Sequence, residues 1–366
     1  MKSTLPLLLT ILLLFGARAP LVSAQTTSDQ DDDVIRVETD LTNLFFTATN
    51  KQKAFITTLR AEDVAVTEDG VPQKIVTFQR ETDRPLAIAF LIDVSISEER
   101  TLPQEKAAAR AFIESVVKSS KDQAAIIPFT GSAFLEQDLT RDVLSLYRAL
   151  ERVEVAAPAY LGTGRPISGI ISGPGMKAQP PEGSTAIWDA VALAASEVLG
   201  ADQRATAKRA QNSGGSGRAQ PRDEDQSQNQ RRRAIILLTD GQDTTSRLLR
   251  SDAINRALET ETVIYAIGIG DTKKYGMDRD ALTAVAGATG GRAFFPKRET
   301  DLRAAFAEIE QELRSQYLIA YSSTNKNRDG AYRQMRIEIA NPELQKEQLK
   351  LRHRPGYFAK RQAGAR

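Results

Sequence analysis

Asp93, Ser95 and Ser97 stand at alternating positions in DVSIS, directly behind the apolar run LAIAFLI. A hard divalent cation such as Mg²⁺ takes near-octahedral oxygen and gives up its waters reluctantly, so a carboxylate beside two hydroxyls suits it. In an extended turn both hydroxyls can face one side, with Asp93 supplying charge directly or through a coordinated water. Two further polar residues extend the set. Thr185, in GSTAIWDA, closes a glycine-rich approach to a helix, and Asp240, in AIILLTDGQD, ends a second apolar run. The competing reading of Asp-x-Ser-x-Ser alone is a helix cap or an Asx turn. Thr185 and Asp240 weigh for a metal site, because ligands of α/β sheets gather outside the carboxyl ends of the strands.

The elements that must position these residues follow from periodicity. LAIAFLID (86–93), AAIIPFT (124–130), AIILLTDG (234–241), VIYAIGIG (263–270) and the short RAFF (292–295) read as strands, the long ones buried on both faces. Helices are expected over 103–118, 141–153, 186–199, 247–259, 278–288 and 300–316. This alternation predicts an α/β fold: a doubly wound, Rossmann-like, mostly parallel sheet spanning 83–316. SAFLEQDL (132–139) reads as an antiparallel edge. Two stretches break the pattern. Residues 157–183 form a long Gly/Pro loop leading to Thr185, and 201–233, which include QNSGGSGRAQPRDEDQSQNQRRR, are expected to be a disordered insertion.

Both flanks have period two. VIRVETDL (34–41), LFFTATN (44–50), DVAVTEDG (63–70) and QKIVTFQ (73–79) form an amino-terminal β unit over 34–82, with Asp69-Gly70 as a hairpin turn. QYLIAYSS, YRQMRIEIA and QLKLRHRPGYF carry strands over 317–360, followed by a disordered tail, 361–366. Neither flank is large enough to be stable alone. The two are therefore expected to pair as one antiparallel β-sandwich into which the α/β domain is inserted.

Ahead of an acidic leader (25–33), residues 1–24 have a basic start, an apolar core and a small-x-small cleavage pattern, the features of a secretory signal peptide. The expected location is secreted or periplasmic, with no transmembrane segment after cleavage. Removal of Lys2 and Arg18 would leave 47 basic residues against 47 acidic ones, a balance that steers the protein to neither nucleic acid nor anionic lipid. The chain has no cysteine and a single histidine, His353, in the basic strand KLRHR, where it is expected to be exposed. Neither a Ser-His-Asp nor a Cys-His arrangement can be built at the strand ends. GIGDTKK lacks the third glycine of a dinucleotide loop and no GxxxxGK[ST] occurs, so no nucleotide is expected. Trp188 and Phe112 read as core, and Glu98 and Asp243 as solvated surface.

DVSIS, GSTAIWDA and LLTDGQD, in this order on this pattern, resemble the metal-ion-dependent adhesion site of the von Willebrand factor type A domain. The flanks, DVAVTEDGVPQKIVTF before and QYLIAYSS, YRQMRIEIA and RPGYF after, resemble the bacterial VWFA-related family described from Acidobacteria. The resemblance implies Mg²⁺, or Mn²⁺ or Ca²⁺, held by Asp93, Ser95, Ser97 and Thr185, with Asp240 mostly through water. It also implies one coordination position left for a carboxylate of a protein partner. Glu98 and Glu99 depart from the small or apolar residues common after the second serine. The function expected is an exported, non-enzymatic binding module. A scaffold of an envelope assembly, its metal merely stiffening loops, and a metal-dependent hydrolase are the alternatives.

Overall fold

The computed structural model describes residues 41–80, 84–117, 121–155, 165–166, 184–205, 231–240, 242–270 and 277–361. The elements are β1 (Leu41–Thr49), β2 (Val64–Glu68), β3 (Val71–Gln73), β4 (Ile75–Arg80), β5 (Leu86–Asp93), α1 (Leu102–Val116), β6 (Gln123–Phe129), β7 (Phe134–Leu135), β8 (Gln137–Thr140), α2 (Val143–Arg152), β9 (Arg165–Pro166), α3 (Ile187–Leu193), β10 (Arg232–Thr239), α4 (Arg250–Glu259), β11 (Thr262–Gly268), α5 (Arg279–Ala288), β12 (Ala293–Phe294), α6 (Glu299–Arg314), β13 (Tyr317–Ser322), β14 (Tyr332–Ile339), α7 (Pro342–Lys346), β15 (Lys350–His353) and β16 (Gly356–Phe358). The signal peptide, the acidic leader and most of VIRVETDL lie outside the described residues, as do almost all of the 157–183 loop and nearly all of the tail.

The central sheet has the order β12-β11-β10-β5-β6-β8. Every pairing in it is parallel except β6 with β8, the expected antiparallel edge. Because side chains alternate across a strand, one apolar run feeds two cores. Leu86, Ile88, Phe90 and Ile92 of β5 pack with α1, α2 and α6 on one face. Ala87, Ala89 and Leu91 pack with α3, α4 and α5 on the other. Small residues in α3 and the π-helical turn after it, Ala190, Ala192, Ala194 and Ala195, let that largely buried segment lie close to the sheet. Phe112 and Trp188 are both core. The doubly wound α/β fold is therefore as the periodicity requires.

The flanks also combine as expected. One four-stranded sheet has the order β15-β1-β13-β4 and a second β16-β14-β2-β3, so each holds strands from before and after the α/β domain. Their inner faces share a core of Leu44, Phe46, Val64, Val66, Tyr317, Ile319, Tyr321, Met335 and Ile337. Asp69 (φ 48°) and Gly70 (φ 81°) both take the left-handed conformation that a tight two-residue hairpin demands. At the centre lies Glu68, whose carboxylate accepts hydroxyls of Tyr321 (2.7 Å), Ser323 and Tyr357 (3.0 Å). An acid from the first flank is thus satisfied wholly by donors from the second.

Two expectations need correction here. The 201–233 insertion is shorter than composition suggested: residues 201–205 continue a helix, and Arg232 and Arg233 are buried within β10. Their guanidinium groups reach carbonyls at helix carboxyl ends, Arg232 that of Leu313 and Arg233 that of Thr260 (3.1 Å), where positive charge is favoured. His353, expected at the surface, is half-buried: its Nε2 accepts the Ile337 N–H (3.3 Å) while Nδ1 lies 2.7 Å from the Arg354 carbonyl oxygen. Burial holds its pKa below the usual 6.5 and keeps it neutral. Among the described residues no helix is long and apolar enough to cross a membrane.

Candidate metal centre

β5 and β10 are neighbours in register, with Ile92 opposite Leu238, so Asp93 and Thr239 meet one step further along. Asp93 is fully buried; its Oδ2 accepts the Thr239 hydroxyl at 2.6 Å and its Oδ1 the Ser95 N–H at 3.0 Å. The second bond is an Asx turn, so the rival reading of this motif is realised without displacing the first. The Ser95 hydroxyl bonds to the same carboxylate. Thr239 was not among the candidates, although its place immediately before Asp240 was the available signal.

Thr185 is fixed against the loop that follows Asp240. Its N–H donates to Thr244 Oγ1 (2.9 Å), and its carbonyl accepts the N–H groups of Thr244 (2.8 Å) and Thr245 (3.2 Å). The same loop caps α3. Asp243 Oδ1 accepts the Trp188 N–H (3.3 Å) and the Ser246 hydroxyl, and Ser246 Oγ accepts the Trp188 N–H (3.0 Å). Asp243 is thus a half-buried helix cap rather than a solvated residue. On the far side Gly270, at φ 122°, comes so close that a Cβ there would lie 3.1 Å from Asp240 Cβ. Ser95, Thr185 and Asp240 are all buried, and Ser97 sits in the 3₁₀ turn Ile96–Arg100 with its side chain outside the description.

Glu98 contradicts its expected place in solvent. The 3₁₀ turn brings the chain back over the strand ends and buries Glu98 completely, while Ile96 and Glu99 face out. One carboxylate oxygen each of Asp93, Glu98 and Asp240 lies within 4.8 Å of the others. Thr101 donates its hydroxyl to Glu98 Oε2, and the equally buried Glu105 carboxyl lies within hydrogen-bonding reach of Glu98, so that a proton on one of the two acids can be shared between them. Burial pushes Asp93 up to about 6 against the pull of its Thr239 and Ser95 bonds, with the Asp240 charge adding to the rise. Burial and the proximity of Glu105 push Glu98 far higher, and Glu105 is raised by burial as well. The sequence did hold a signal: Glu105 interrupts the apolar face of α1 formed by Leu102, Ala109 and Phe112, and Glu98 precedes it by seven residues.

The donor set suits a hard cation. Asp93, Ser95, Thr185, Asp240 and Glu98 offer oxygen only, and the chain has no thiolate. Carboxylate oxygens gathered within 4.8 Å of one another are close enough to share one ion at about 2.0–2.6 Å, the distances that Mg²⁺ or Ca²⁺ takes.

No family model matches this chain, and no curated protein does. Among solved structures it is similar to proximal thread matrix protein 1 from the mussel byssus, at 18% identity over 68% of this chain and 51% of that one, with a TM-score of 0.44. The form of that protein with a zinc-occupied MIDAS motif matches at 18% identity, covering 66% and 48%, with a TM-score of 0.44. A von Willebrand factor type A structure from Catenulispora acidiphila matches at 13% identity, covering 88% and 74%, with a TM-score of 0.43. This chain spans about half the length of the mussel protein.

Proposed function

We propose that the chain is an exported binding module that captures an acidic group of a protein partner through a divalent cation at the strand ends. Asp93, Ser95, Ser97, Thr185 and Asp240 would hold Mg²⁺, or Mn²⁺ or Ca²⁺. When bound, the ion supplies the positive charge that attracts and fixes a carboxylate. The single observation that carries this reading is the burial of Asp93 and Asp240, with Glu98, within 4.8 Å of one another. Acids so placed repel strongly at low effective dielectric, and a divalent cation is the simplest group to offset them.

The protein's own part is to hold the oxygens in place. Thr239 orients Asp93, the loop around Thr244 fixes Thr185, and Gly270 gives Asp240 room. Against turnover stands the absence of any thiol, together with the position of the lone histidine on β15, in a different sheet from β5 and β10. Export rests on the signal peptide pattern of residues 1–24 and predicts a mature chain beginning at Gln25, which amino-terminal sequencing of protein from the envelope or medium would read.

The test of binding is capture of partners from the envelope fraction by the wild-type chain with Mg²⁺, with EDTA, and by Asp93→Ala. A partner retained only by the wild type with Mg²⁺ is expected. Retention that survives both EDTA and Asp93→Ala would refute the metal bridge.

A further inference from the structure

A site that takes a partner's carboxylate must be reachable, yet this one is sealed. Asp93 and Glu98 are 0% exposed, Asp240 2%, Ser95 3% and Thr185 5%. The turn Ile96–Arg100 presents Ile96 to solvent on its outer side and brings Glu98 against Asp93 and Asp240. Bonds within that turn include the Glu98 N–H to the Ser95 carbonyl (3.0 Å), the Thr101 N–H to the Glu98 carbonyl (3.0 Å), and the Thr101 hydroxyl to Glu98.

A buried carboxylate oxygen without a donor costs about 1–3 kcal/mol or more, so such atoms require an explanation. Glu98 Oε1 is one, in a fully buried side chain whose carboxylate lies within 4.8 Å of Asp93 and Asp240. Ordinary core packing would favour an apolar residue here, and a surface role would leave the group in water. Neither describes Glu98. Without an ion, Glu98 can be partnered by sharing a proton with Glu105; with one, its carboxylate is close enough to Asp93 and Asp240 to join them on the cation.

We infer that Glu98 is a ligand of the same ion, supplied by this chain to the coordination position that a partner's carboxylate would otherwise take. The described conformation is then self-capped. The third carboxylate tightens the hold on the ion and closes the site, and a partner engages only when the turn Ile96–Arg100 swings Glu98 away. Glu105, behind Glu98 on α1, is a positioning residue rather than a ligand. Thr101, which holds Glu98 Oε2, leaves Oε1 for the ion. This inference rests on the metal site proposed above and adds to it a residue and a closed state.

The experiment is Mn²⁺ binding to the full chain, with affinity from calorimetry and the number of exchangeable waters on Mn²⁺ from water-proton relaxation. Wild type is compared with Glu98→Gln, Glu98→Ala and Asp93→Ala, and folding is checked by circular dichroism. Glutamine keeps an acceptor for Thr101 and removes a buried charge, so the first variant should fold at least as well as wild type. Loss of a charged ligand should weaken Mn²⁺ at least ~10-fold, the alanine variant more than the glutamine one. Glu98→Ala should also gain about one inner-sphere water, since water fills the vacated position. Unchanged affinity and water count in both Glu98 variants, with binding abolished in Asp93→Ala, would overturn the role of Glu98 while leaving the metal site standing. Binding unaffected by Asp93→Ala would overturn both.

Discussion

Glu98→Gln should stabilise the metal-free protein, and by an amount that depends on pH. In EDTA the folded chain holds Glu98 protonated, because burial and Glu105 raise it far above the ordinary 4.5, whereas the unfolded chain releases that proton above 4.5. A carboxyl with a raised folded value gives its full stability below 4.5 and loses it as pH rises toward the folded value. At about pH 7.5 the loss extends over about three pH units at ~1.4 kcal/mol each, an upper limit of ~4 kcal/mol. Coulomb's law gives a figure of the same size. Two charges no more than 4.8 Å apart at an effective dielectric of ~20 repel by at least ~3 kcal/mol. Glutamine is neutral at every pH and escapes this cost. In EDTA the variant should therefore melt on the order of 5 °C above wild type at pH ~7.5, the difference closing toward pH ~4.5. With Mn²⁺ at a hundredfold excess over the wild-type Kd the gap should narrow by about 1 kcal/mol or more, since wild type gains ~2.7 kcal/mol and a variant bound tenfold more weakly only ~1.4 kcal/mol. Scanning calorimetry or circular dichroism melts across this range read both. A variant no more stable than wild type in EDTA at pH ~7.5, or a difference that does not close toward acid pH, would refute the reasoning.

Thr239→Val removes the 2.6 Å donor to Asp93 without changing volume, and should weaken Mn²⁺ by ~10–100-fold in a calorimetric titration while the circular dichroism spectrum stays that of wild type. Gly270→Ala places a Cβ 3.1 Å from Asp240 Cβ at φ 122°, and is expected to cost ~1–3 kcal/mol in urea denaturation and to lower metal affinity as Asp240 shifts. His353 is kept neutral by burial, so its folded pKa lies below 6.5; stability from this group is present above 6.5 and falls as pH drops from there toward the folded value. Comparing urea midpoints of wild type and His353→Gln from pH ~7.5 to ~5 should show a difference that changes only below ~6.5.

The fold was legible because each level of the chain agrees. The strand over 86–93 is apolar at every position before Asp93, which only burial on both faces allows, and the two sets of alternating residues lie in separate cores as that reading requires. The pairing of the flanks was legible from period two and from their inability to fold alone. Composition misled where single residues acted against their surroundings. The Arg232-Arg233 pair looked like the end of a polar insertion, and nothing local to it signals that helix carboxyl ends 27 and 81 residues further along the chain would receive the two guanidinium groups.

The site divides in the same way. Asp93 and Asp240 were legible as buried acids because they stand where strands end, and a strand's end can be read from its own sequence, whereas Thr185 stands just before α3. Glu98 was not, because its position depends on how the chain leaves β5. Had residues 96–100 continued outward, Glu98 would have been as solvated as Glu99. A 3₁₀ turn five residues long folds it inward instead, and Thr101 and Glu105 are the residues that meet it there. A carboxylate is costly to bury without a partner, so a turn that buries one against two others is favoured chiefly when a cation joins them. On the proposed reading, the geometry that gathers Asp93, Asp240 and Glu98 makes Glu98 the gate of the site, and a partner's carboxylate must displace a side chain the protein already supplies.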